Sequence, residues 1–285
     1  MADHFDLLVV GAGPAGEKGA AQAAYFGKRV CMIERAPKPG GAAVNTGTIP
    51  SKTLRETALY FSGLRQRGLY GIEYHVQDNI TISDFMYRER SVVEAAWKLI
   101  DENFARHGIT VVQGTAKLVD AHTMEVNRFH DTSRLTADII LLATGSHPLR
   151  PASIPFDGEV VVDSDDILML QRIPQRMVVI GGGVVGCEYA GIFGALGCRV
   201  TIVNQRERLL TQPDAEVSEA LREDMTRRLG VQVLLNAEVT QVRVDGAEKE
   251  RIATVTLNDG TEIVADCVLY SVGREGSTRD MGLDA

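Results

Sequence analysis

The feature that most restricts what this chain can fold into is a segment that occurs twice, once near the N-terminus and once in the second half of the chain. The stretch 7–16, LLVVGAGPAG, matches 177–186, MVVIGGGVVG, and 27–36, GKRVCMIERA, matches 197–206, GCRVTIVNQR. Each copy consists of an apolar run, a glycine-rich turn, a stretch of small residues and a second apolar run. Continuous apolar runs are typical of parallel strands that are buried on both faces. The repeat therefore predicts two strand–helix–strand units.

A further match indicates that the first copy is longer than the second. The stretch 137–145, ADIILLATG, matches 265–273, ADCVLYSVG, and these two stretches are closer together along the chain than the two glycine-rich turns are. The first copy must therefore contain an insertion. It falls on GGAAVNTGTIPSK and on the helical stretch from Tyr87 to His107.

These matches predict an α/β fold made of two Rossmann-like dinucleotide-binding domains, with three-layer parallel-sheet cores and β-hairpin or meander additions. The expected first domain is 1–150, with the helical insertion at about 40–107, and the expected second domain is 151–273. Residues 274–285 would begin a return to the first domain.

Both copies contain the pattern GxGxxG between a predicted strand and a predicted helix, which is the setting that dinucleotide binding requires. The first glycine permits the turn, the second lets the backbone approach a pyrophosphate, and the third lets helix pack on strand. The helix N-terminus then offers N–H groups and a positive dipole to phosphate. The residues assigned to this role are Gly11, Gly13 and Gly16 in the first copy and Gly181, Gly183, Val185 and Gly186 in the second.

The residue at the end of the second strand of each copy is expected to face an adenosine ribose. Glu34, followed by Arg35, can accept hydrogen bonds from both hydroxyl groups of a ribose diol. The equivalent residue in the second copy is Asn204, which is neutral, and Arg206 could pair with a 2′-phosphate. The first site therefore favours a cofactor with a free 2′-OH, whereas the second has no electrostatic reason to reject NADP. The alternative for Arg206 and Arg208 is a solvated basic loop.

Composition excludes several other classes of protein. A formal net charge of −8 gives no support to nucleic-acid binding, which requires a basic face. No apolar run reaches the roughly 18 residues of a membrane span, and the N-terminus lacks the pattern of a signal peptide. The six histidines show no metal-ligand spacing, and the four cysteines are widely separated within apolar stretches. We therefore expect a soluble, cytoplasmic protein with no metal site and no membrane partner.

Five stretches resemble the pyridine nucleotide–disulfide oxidoreductase family in order and spacing, namely VVGAGPAG, ERAPKPGGAAVNTGTIPSKTLRE, LLATGSHP, VIGGGVVGCEYAGIFGALGCRVTIV and SVGR. The resemblance implies FAD in the first domain and NAD(P) in the second. The family pattern GGxCxxxGCIPSK supplies a redox disulfide, but Ala43 and Thr48 stand at its two cysteine positions. The motif GTIPSK and Asn204 are similar to the branch of soluble pyridine nucleotide transhydrogenases. That likeness implies hydride transfer between NADPH or NADH and NAD or NADP through the flavin, without thiol–disulfide exchange.

The resemblance also implies roles for individual residues. Lys52 would be a cation beside the flavin, Glu188 its acidic partner near the nicotinamide, and Thr48 would face the flavin where a thiolate otherwise lies. The alternative is a surface lysine and a glutamate favoured by the dipole of its helix. Further cofactor-binding residues that the resemblance implies are Gly41, Ala43, Ala116 within the stretch Gly114–Ala116, Thr144, Gly145 and Gly273.

Members of this family continue well beyond the length of this chain. The resemblance therefore predicts that the last part of the FAD domain and the interface domain that forms the family's homodimer are missing, which would leave an exposed sheet edge. Two alternatives remain open. One is another NAD(P)H:acceptor flavoprotein, such as a diaphorase or a protein like dihydrolipoamide dehydrogenase. The other is a nucleotide-binding module that no longer catalyses a reaction.

Overall fold

The computed structural model describes residues 3–66, 82–128, 131–247 and 251–284. Contacts divide the chain into two compact units. The first unit comprises Met1–Ile49, Ser91–His147 and Arg274–Ala285, and the second comprises Pro50–Arg90 and Pro148–Gly273. The second unit thus includes described residues 50–66 and 82–90, which precede the boundary expected near residue 150.

The first unit contains a six-stranded sheet in the order β3-β2-β1-β6-β5-β4. Its strands are β1 (Asp3–Val10), β2 (Val30–Glu34), β3 (Thr110–Gln113), β4 (Thr115–Asp120), β5 (Thr123–Asn127) and β6 (Thr132–Leu142). The neighbours β3, β2, β1 and β6 are parallel, whereas β4, β5 and the first half of β6 form an antiparallel meander. The short strands β7 (Ser146–Pro148) and β16 (Arg274–Gly276) pair with each other.

The inserted region of the first copy is mostly helical, and two of its helices are longer than the helix that follows the glycine-rich turn. Helix α1 (Pro14–Tyr25) follows β1, and the insertion forms α2 (Gly41–Asn45), α3 (Thr48–Gln66) and α4 (Ile82–Arg106). Proline at the first position of α1 suits a helix start, because the N–H that it lacks has no intrahelical partner there.

The second unit is built on a five-stranded parallel sheet in the order β11-β10-β9-β15-β8. Its elements are β8 (Val161–Val162), a 3-10 turn (Asp166–Met169), β9 (Arg176–Ile180), α5 (Val184–Ala195), β10 (Arg199–Asn204), α6 (Ala215–Leu229), β11 (Gln232–Leu235) and β15 (Cys267–Tyr270). A separate antiparallel meander consists of β12 (Val239–Asp245), β13 (Ile252–Leu257) and β14 (Glu262–Ala265). The predicted α/β class with two parallel-sheet cores and meander additions is confirmed.

The core of the second unit explains why residues 50–66 and 82–90 belong to it. Leu54 and Ala58 of α3 and Phe85 and Met86 of α4 are buried in one apolar cluster with Phe193 of α5. Burial of such side chains stabilises the fold by about 1.5–3 kcal/mol each. Those apolar side chains therefore place α3 and the first residues of α4 in the core of the second unit.

The second half of β6 is paired on one side within the described residues. Residues 135–142 pair with β1, whereas β5 pairs only with Thr132–Thr136. Beyond that point Ile139, Leu141 and Leu142 are 63%, 36% and 39% exposed. A parallel strand normally has both faces covered, so the second half of β6 differs from that pattern in presenting exposed apolar side chains.

Candidate functional site

The turn after β1 has a backbone that only glycine allows. Gly11 has a φ of +104°, and a Cβ on it would lie 2.4 Å from the carbonyl oxygen of Ala143. A Cβ on Gly16 would lie 1.9 Å from the carbonyl oxygen of Gly11. Gly11 therefore requires glycine because of its φ and the backbone after β6, and Gly16 because of a contact within the turn.

The second copy repeats this geometry. Gly181 has a φ of +106°, and a Cβ on Gly186 would lie 2.0 Å from the carbonyl oxygen of Gly181. At Gly183, which caps α5, an added Cβ would meet nothing within 4 Å. The N-terminus of α5 is therefore open to an incoming group.

The residues of both turns fit the pyrophosphate of a dinucleotide. In the first copy the backbone of α2 approaches the turn so closely that a Cβ on Gly41 would lie 2.8 Å from the Cα of Gly13. Gly13 and Gly183 start α1 and α5 without a side-chain cap, so the first N–H groups of α5 and those that remain in α1 after Pro14 are available to a phosphate. These are the cradles that FAD and a nicotinamide nucleotide would need.

Glu34, at the end of β2, accepts hydrogen bonds from two backbone N–H groups. Its Oε2 accepts a hydrogen bond from the Ala12 N–H at 2.6 Å, and its Oε1 accepts one from the Ala36 N–H at 2.8 Å. A carboxylate oxygen can accept more than one hydrogen bond, so both oxygens keep capacity for a ribose diol.

Asn204 occupies the same place at the end of β10 but makes different bonds. Its Oδ1 accepts from the Gly182 N–H at 3.0 Å. Its Nδ2 donates to the carbonyl oxygens of Arg206 at 3.1 Å and Arg208 at 3.0 Å. Both amide hydrogens are therefore used within the protein, and the side chain is buried.

The loop after β10 presents two guanidinium groups. Arg206 Nη1 donates to the hydroxyl of Thr211 at 2.7 Å, and Arg208 Nη2 donates to the Thr211 carbonyl at 3.3 Å. Arg206 is exposed and Arg208 is half-buried. Neither forms an ion pair with a carboxylate in the described part of the chain.

Asn45 organises the sulfur-free stretch that contains Ala43. Its Nδ2 donates to the carbonyl oxygens of Pro39 at 3.1 Å and Gly41 at 3.0 Å, and its Oδ1 accepts from Trp97 Nε1 of α4 at 2.8 Å. Both donors and the acceptor of one amide are thus satisfied. The inserted helix α4 therefore supports the segment that approaches the glycine turn.

Lys52 and Glu188 are brought together within the second unit. The ammonium of Lys52 forms an ion pair with Oε1 of Glu188, and Ser51 Oγ donates to Oε2 of the same carboxylate at 3.2 Å. Lys52 is 57% exposed and Glu188 is 16% exposed at the side chain. Both carboxylate oxygens are therefore engaged. Thr48 lies one turn before Lys52 on α3 and is exposed.

The other predicted site residues are less closely tied to the two turns. The Cα of Thr144 would lie 3.4 Å from a Cβ on Gly11, so Thr144 borders the first turn. Gly145 and Gly273 have φ angles of +68° and +88° and follow β6 and β15. Ala116 lies on β4 of the meander and is buried in the core of the first unit. The exposed Arg35 follows β2, and Val185 lies in the first turn of α5.

Four residues of these sites were not singled out by sequence reasoning. They are Asn45, Ser51, Trp97 and Thr211. Ser51 stands within the TIPSK motif, which could have drawn attention to it. The contact between Asn45 and Trp97 joins residues 52 positions apart, and no local pattern reports such a contact.

All four cysteines are free and buried. Burial raises the pKa of Cys187 to about 11 and the pKa values of Cys31, Cys198 and Cys267 to about 12. Such thiols are poor nucleophiles at neutral pH. Within the described residues, no group of three or more potential metal-ligand side chains is found. Nor does any helix of that part have the length and apolar character needed to cross a membrane.

Two parallel sheets, each with a glycine-rich turn before its first helix, are typical of proteins with two Rossmann-like dinucleotide-binding domains. The chain belongs to the pyridine nucleotide-disulphide oxidoreductase family, whose model matches residues 5–285. Proteins of this family use FAD and NAD(P)H.

The relatives narrow the resemblance further. The chain is 42% identical over 282 residues to a soluble pyridine nucleotide transhydrogenase of Mycobacterium tuberculosis, covering 98% of this chain and 59% of the relative. It is 36% identical over 285 residues to a protein of the same name from Vibrio vulnificus, covering 100% of this chain and 60% of the relative. The chain thus spans about three-fifths of the curated relatives that it matches.

Solved structures show the same architecture. LpdA from Mycobacterium tuberculosis superposes with a TM-score of 0.87 at 27% identity, covering 99% of this chain and 61% of that one. The HOCl-induced flavoprotein disulfide reductase RclA from Escherichia coli superposes with a TM-score of 0.81 at 26% identity, covering 98% of this chain and 59% of that one.

Proposed function

We propose that this sequence serves FAD-dependent hydride transfer between NADPH or NADH and NAD or NADP, with no redox disulfide. The observation that carries the proposal is the stretch from Gly40 to Lys52, which keeps its glycines and its lysine but has Ala43 and Thr48 where thiols are needed. The four cysteines of the chain are buried elsewhere. The transhydrogenase names of the relatives support the same activity.

FAD, when bound, supplies the chemistry that accepts and returns a hydride. The residues of the first copy would hold it. The N–H groups that the helix start after Gly13 leaves without intrahelical partners would bind the pyrophosphate, and Glu34 would accept hydrogen bonds from the ribose diol. The bonds from Ala12 and Ala36 hold the Glu34 carboxylate in place for that task.

The Lys52 ammonium is the positive charge that we assign to the reacting region. Glu188 and Ser51 fix its position, because Lys52 and Ser51 each bind one oxygen of the same carboxylate. A cation held in this way would stabilise negative charge that develops on a bound electron acceptor. Thr48 lies one turn earlier on α3. Its unreactive hydroxyl would stand where other members of the family have a reactive thiol.

The second copy would bind the nicotinamide nucleotide, with the N-terminus of α5 at its pyrophosphate. Asn204 brings no negative charge to the adenosine ribose, and Arg206 and Arg208 supply positive charge nearby. Guanidinium groups bind phosphate strongly. This arrangement would allow the site to bind NADPH as well as NADH.

A hydride-transfer assay tests this proposal. The chain saturated with FAD should reduce the thionicotinamide analogue of NAD with NADPH, and it should not reduce lipoamide or glutathione disulfide. Anaerobic titration should consume one NADPH for each flavin, since the stretch from Gly40 to Lys52 has no thiol pair that could store further electrons. Two equivalents per flavin, or turnover of a disulfide, would contradict the proposal. Electron transfer to a dye or quinone with none to the NAD analogue would favour a diaphorase instead.

The role of Lys52 has a separate test. Lys52→Met should slow the hydride step by about a hundredfold, corresponding to roughly 3 kcal/mol of lost charge stabilisation, while nucleotide binding is kept. Lys98→Met is the matched control, because Lys98 is 79% exposed on α4 and lies 3.9 Å from Glu102. Equal rates for the Lys52 variant and the parent in stopped flow would remove Lys52 from the reaction.

A further inference from the structure

Both arginines of the loop after β10 form a hydrogen bond with Thr211. Its hydroxyl accepts from Arg206 and its carbonyl accepts from Arg208, at 2.7 and 3.3 Å. Each guanidinium has five N–H donors, so both keep most of their donors for another partner. Among the described residues, neither guanidinium has a carboxylate within ion-pair distance.

The backbone at Thr211 is held by contacts that do not involve the arginines. The preceding Leu210 has a φ of +44°, and its N–H donates to the Gly182 carbonyl at 2.9 Å. The Leu210 carbonyl accepts from Ser218 Oγ of α6 at 2.9 Å, and Leu209 is 1% exposed. The loop is therefore anchored to the glycine turn and to α6 on either side.

The same anchor places the loop at the nucleotide end of the sheet. A Cβ on Gly182 would lie 2.6 Å from Leu209 and 2.9 Å from Asn204, so the loop packs directly on the turn. Two cations without carboxylate partners among the described residues suit a dianionic group on an adenosine ribose. A 2′-phosphate carries such a charge and offers several acceptor oxygens.

We propose that Thr211 is a positioning residue that sets the preference of the second copy for nucleotides with a 2′-phosphate. Its hydroxyl holds the Arg206 guanidinium in a binding orientation, and its carbonyl does the same for Arg208. This inference rests on the proposed function, in which the second copy binds a nicotinamide nucleotide.

Titration calorimetry with two probes tests the inference, using the chain saturated with FAD so that the first copy is filled. The probes are adenosine 2′,5′-bisphosphate and 5′-AMP, which differ only in the 2′-phosphate. Thr211→Val removes the hydroxyl and keeps the carbonyl and the shape. It should weaken the bisphosphate about fivefold, the effect of one hydrogen bond, and leave 5′-AMP within about twofold. Thr211→Ser should restore the parent value.

Matched variants separate this role from a general loss of structure. Thr201→Val is the control on β10, where the Thr201 hydroxyl contacts Gln232 at 3.4 Å, and it should change neither affinity. Arg206→Ala should weaken the bisphosphate more than Thr211→Val does. Equal weakening of both probes by Thr211→Val would overturn the positioning role.

The failure of this inference differs from the failure of the proposed function. If Arg206→Ala abolishes the preference and Thr211→Val leaves it unchanged, the role of Thr211 is wrong and the proposed function stands. If the parent binds both probes equally, both the role of Thr211 and the use of NADPH at this site are wrong. If the parent binds neither probe, the second copy is not a nucleotide site.

Discussion

The two copies of the repeat share a frame that extends further than the sequence match. The N–H of Gly40 donates to the carbonyl of Ala12 at 2.7 Å, and the N–H of Leu210 donates to the carbonyl of Gly182 at 2.9 Å. These two pairs stand at equivalent positions of the two copies. Gly40 and Leu210 also both have a positive φ, of +104° and +44°. In each copy the loop after the second strand is therefore joined to the glycine-rich turn by an equivalent backbone hydrogen bond, although the donor is glycine in one copy and leucine in the other.

The copies differ in the polarity of the side chain that ends the second strand. Glu34 accepts an N–H from its own loop at Ala36, whereas Asn204 donates two N–H groups to carbonyls of its loop at Arg206 and Arg208. A carboxylate can only accept, and an amide can do both. The residue at this position is therefore coupled to the path of its loop. A change at Asn204 should alter the loop before it alters nucleotide preference.

The largest effect should come from the glycines that the two copies share. Gly16→Ala and Gly186→Ala each place a methyl group about 2 Å from a carbonyl oxygen of the turn. We expect each to lower the free energy of unfolding by about 3 kcal/mol or more, because neither backbone can move without opening the turn. Urea denaturation followed by circular dichroism measures this loss.

Gly183→Ala is the matched control for these variants, since an added Cβ there meets nothing within 4 Å. Its stability should stay within about 1 kcal/mol of the parent, while nicotinamide nucleotide binding weakens because the methyl group enters the phosphate cradle. Similar stability losses at Gly183 and Gly186 would show that the turn does not have the described geometry.

The next effect should distinguish the two copies at Gly40 and Leu210. Gly40→Leu combines the cost of a positive φ with a clash, because a Cβ there lies 2.5 Å from Val44. We expect a loss of about 2–3 kcal/mol. Leu210→Gly relieves the same backbone cost and gives up some packing, so its unfolding free energy should stay within about 1 kcal/mol of the parent. Denaturant titration of both variants gives the comparison, and equal losses would contradict it.

The smallest effects on stability should come from substitutions of Asn204 and Glu34, the side chains at the ends of β10 and β2. Asn204→Asp keeps the acceptor for Gly182 but loses both donors to the loop and sets a negative charge against two carbonyl oxygens. We expect a loss of about 2 kcal/mol and weaker binding of NADH and NADPH alike. Glu34→Gln should lower the free energy of unfolding by about 1 kcal/mol, because the amide oxygen can still accept one of the two backbone hydrogen bonds.

Thermal unfolding and nucleotide titration of these two variants measure both effects. Unchanged stability of Asn204→Asp, with a loss of NADPH binding alone, would show that position 204 acts on the ribose and not on the loop. That result would favour the electrostatic role of position 204 over its role in the loop.

The sequence by itself determined the repeat, the α/β class, the strand–turn–helix order and the positions that require glycine. Those properties depend on the local backbone and on hydrophobic periodicity, both of which are written in consecutive residues. The pairing of Lys52 with Glu188 was expected only through the family resemblance, since 136 residues separate them.

Only the tertiary structure decided how the polar groups are shared. Helix α3 and the first residues of α4 pack with the second unit because Leu54 and Phe85 are buried there. Asn45 is satisfied by Trp97, and the amide of Asn204 is used by its own loop. A side chain's donors and acceptors are known from its name, but their partners depend on where distant or irregular backbone passes. That path is set by packing of the whole unit, which no local pattern contains.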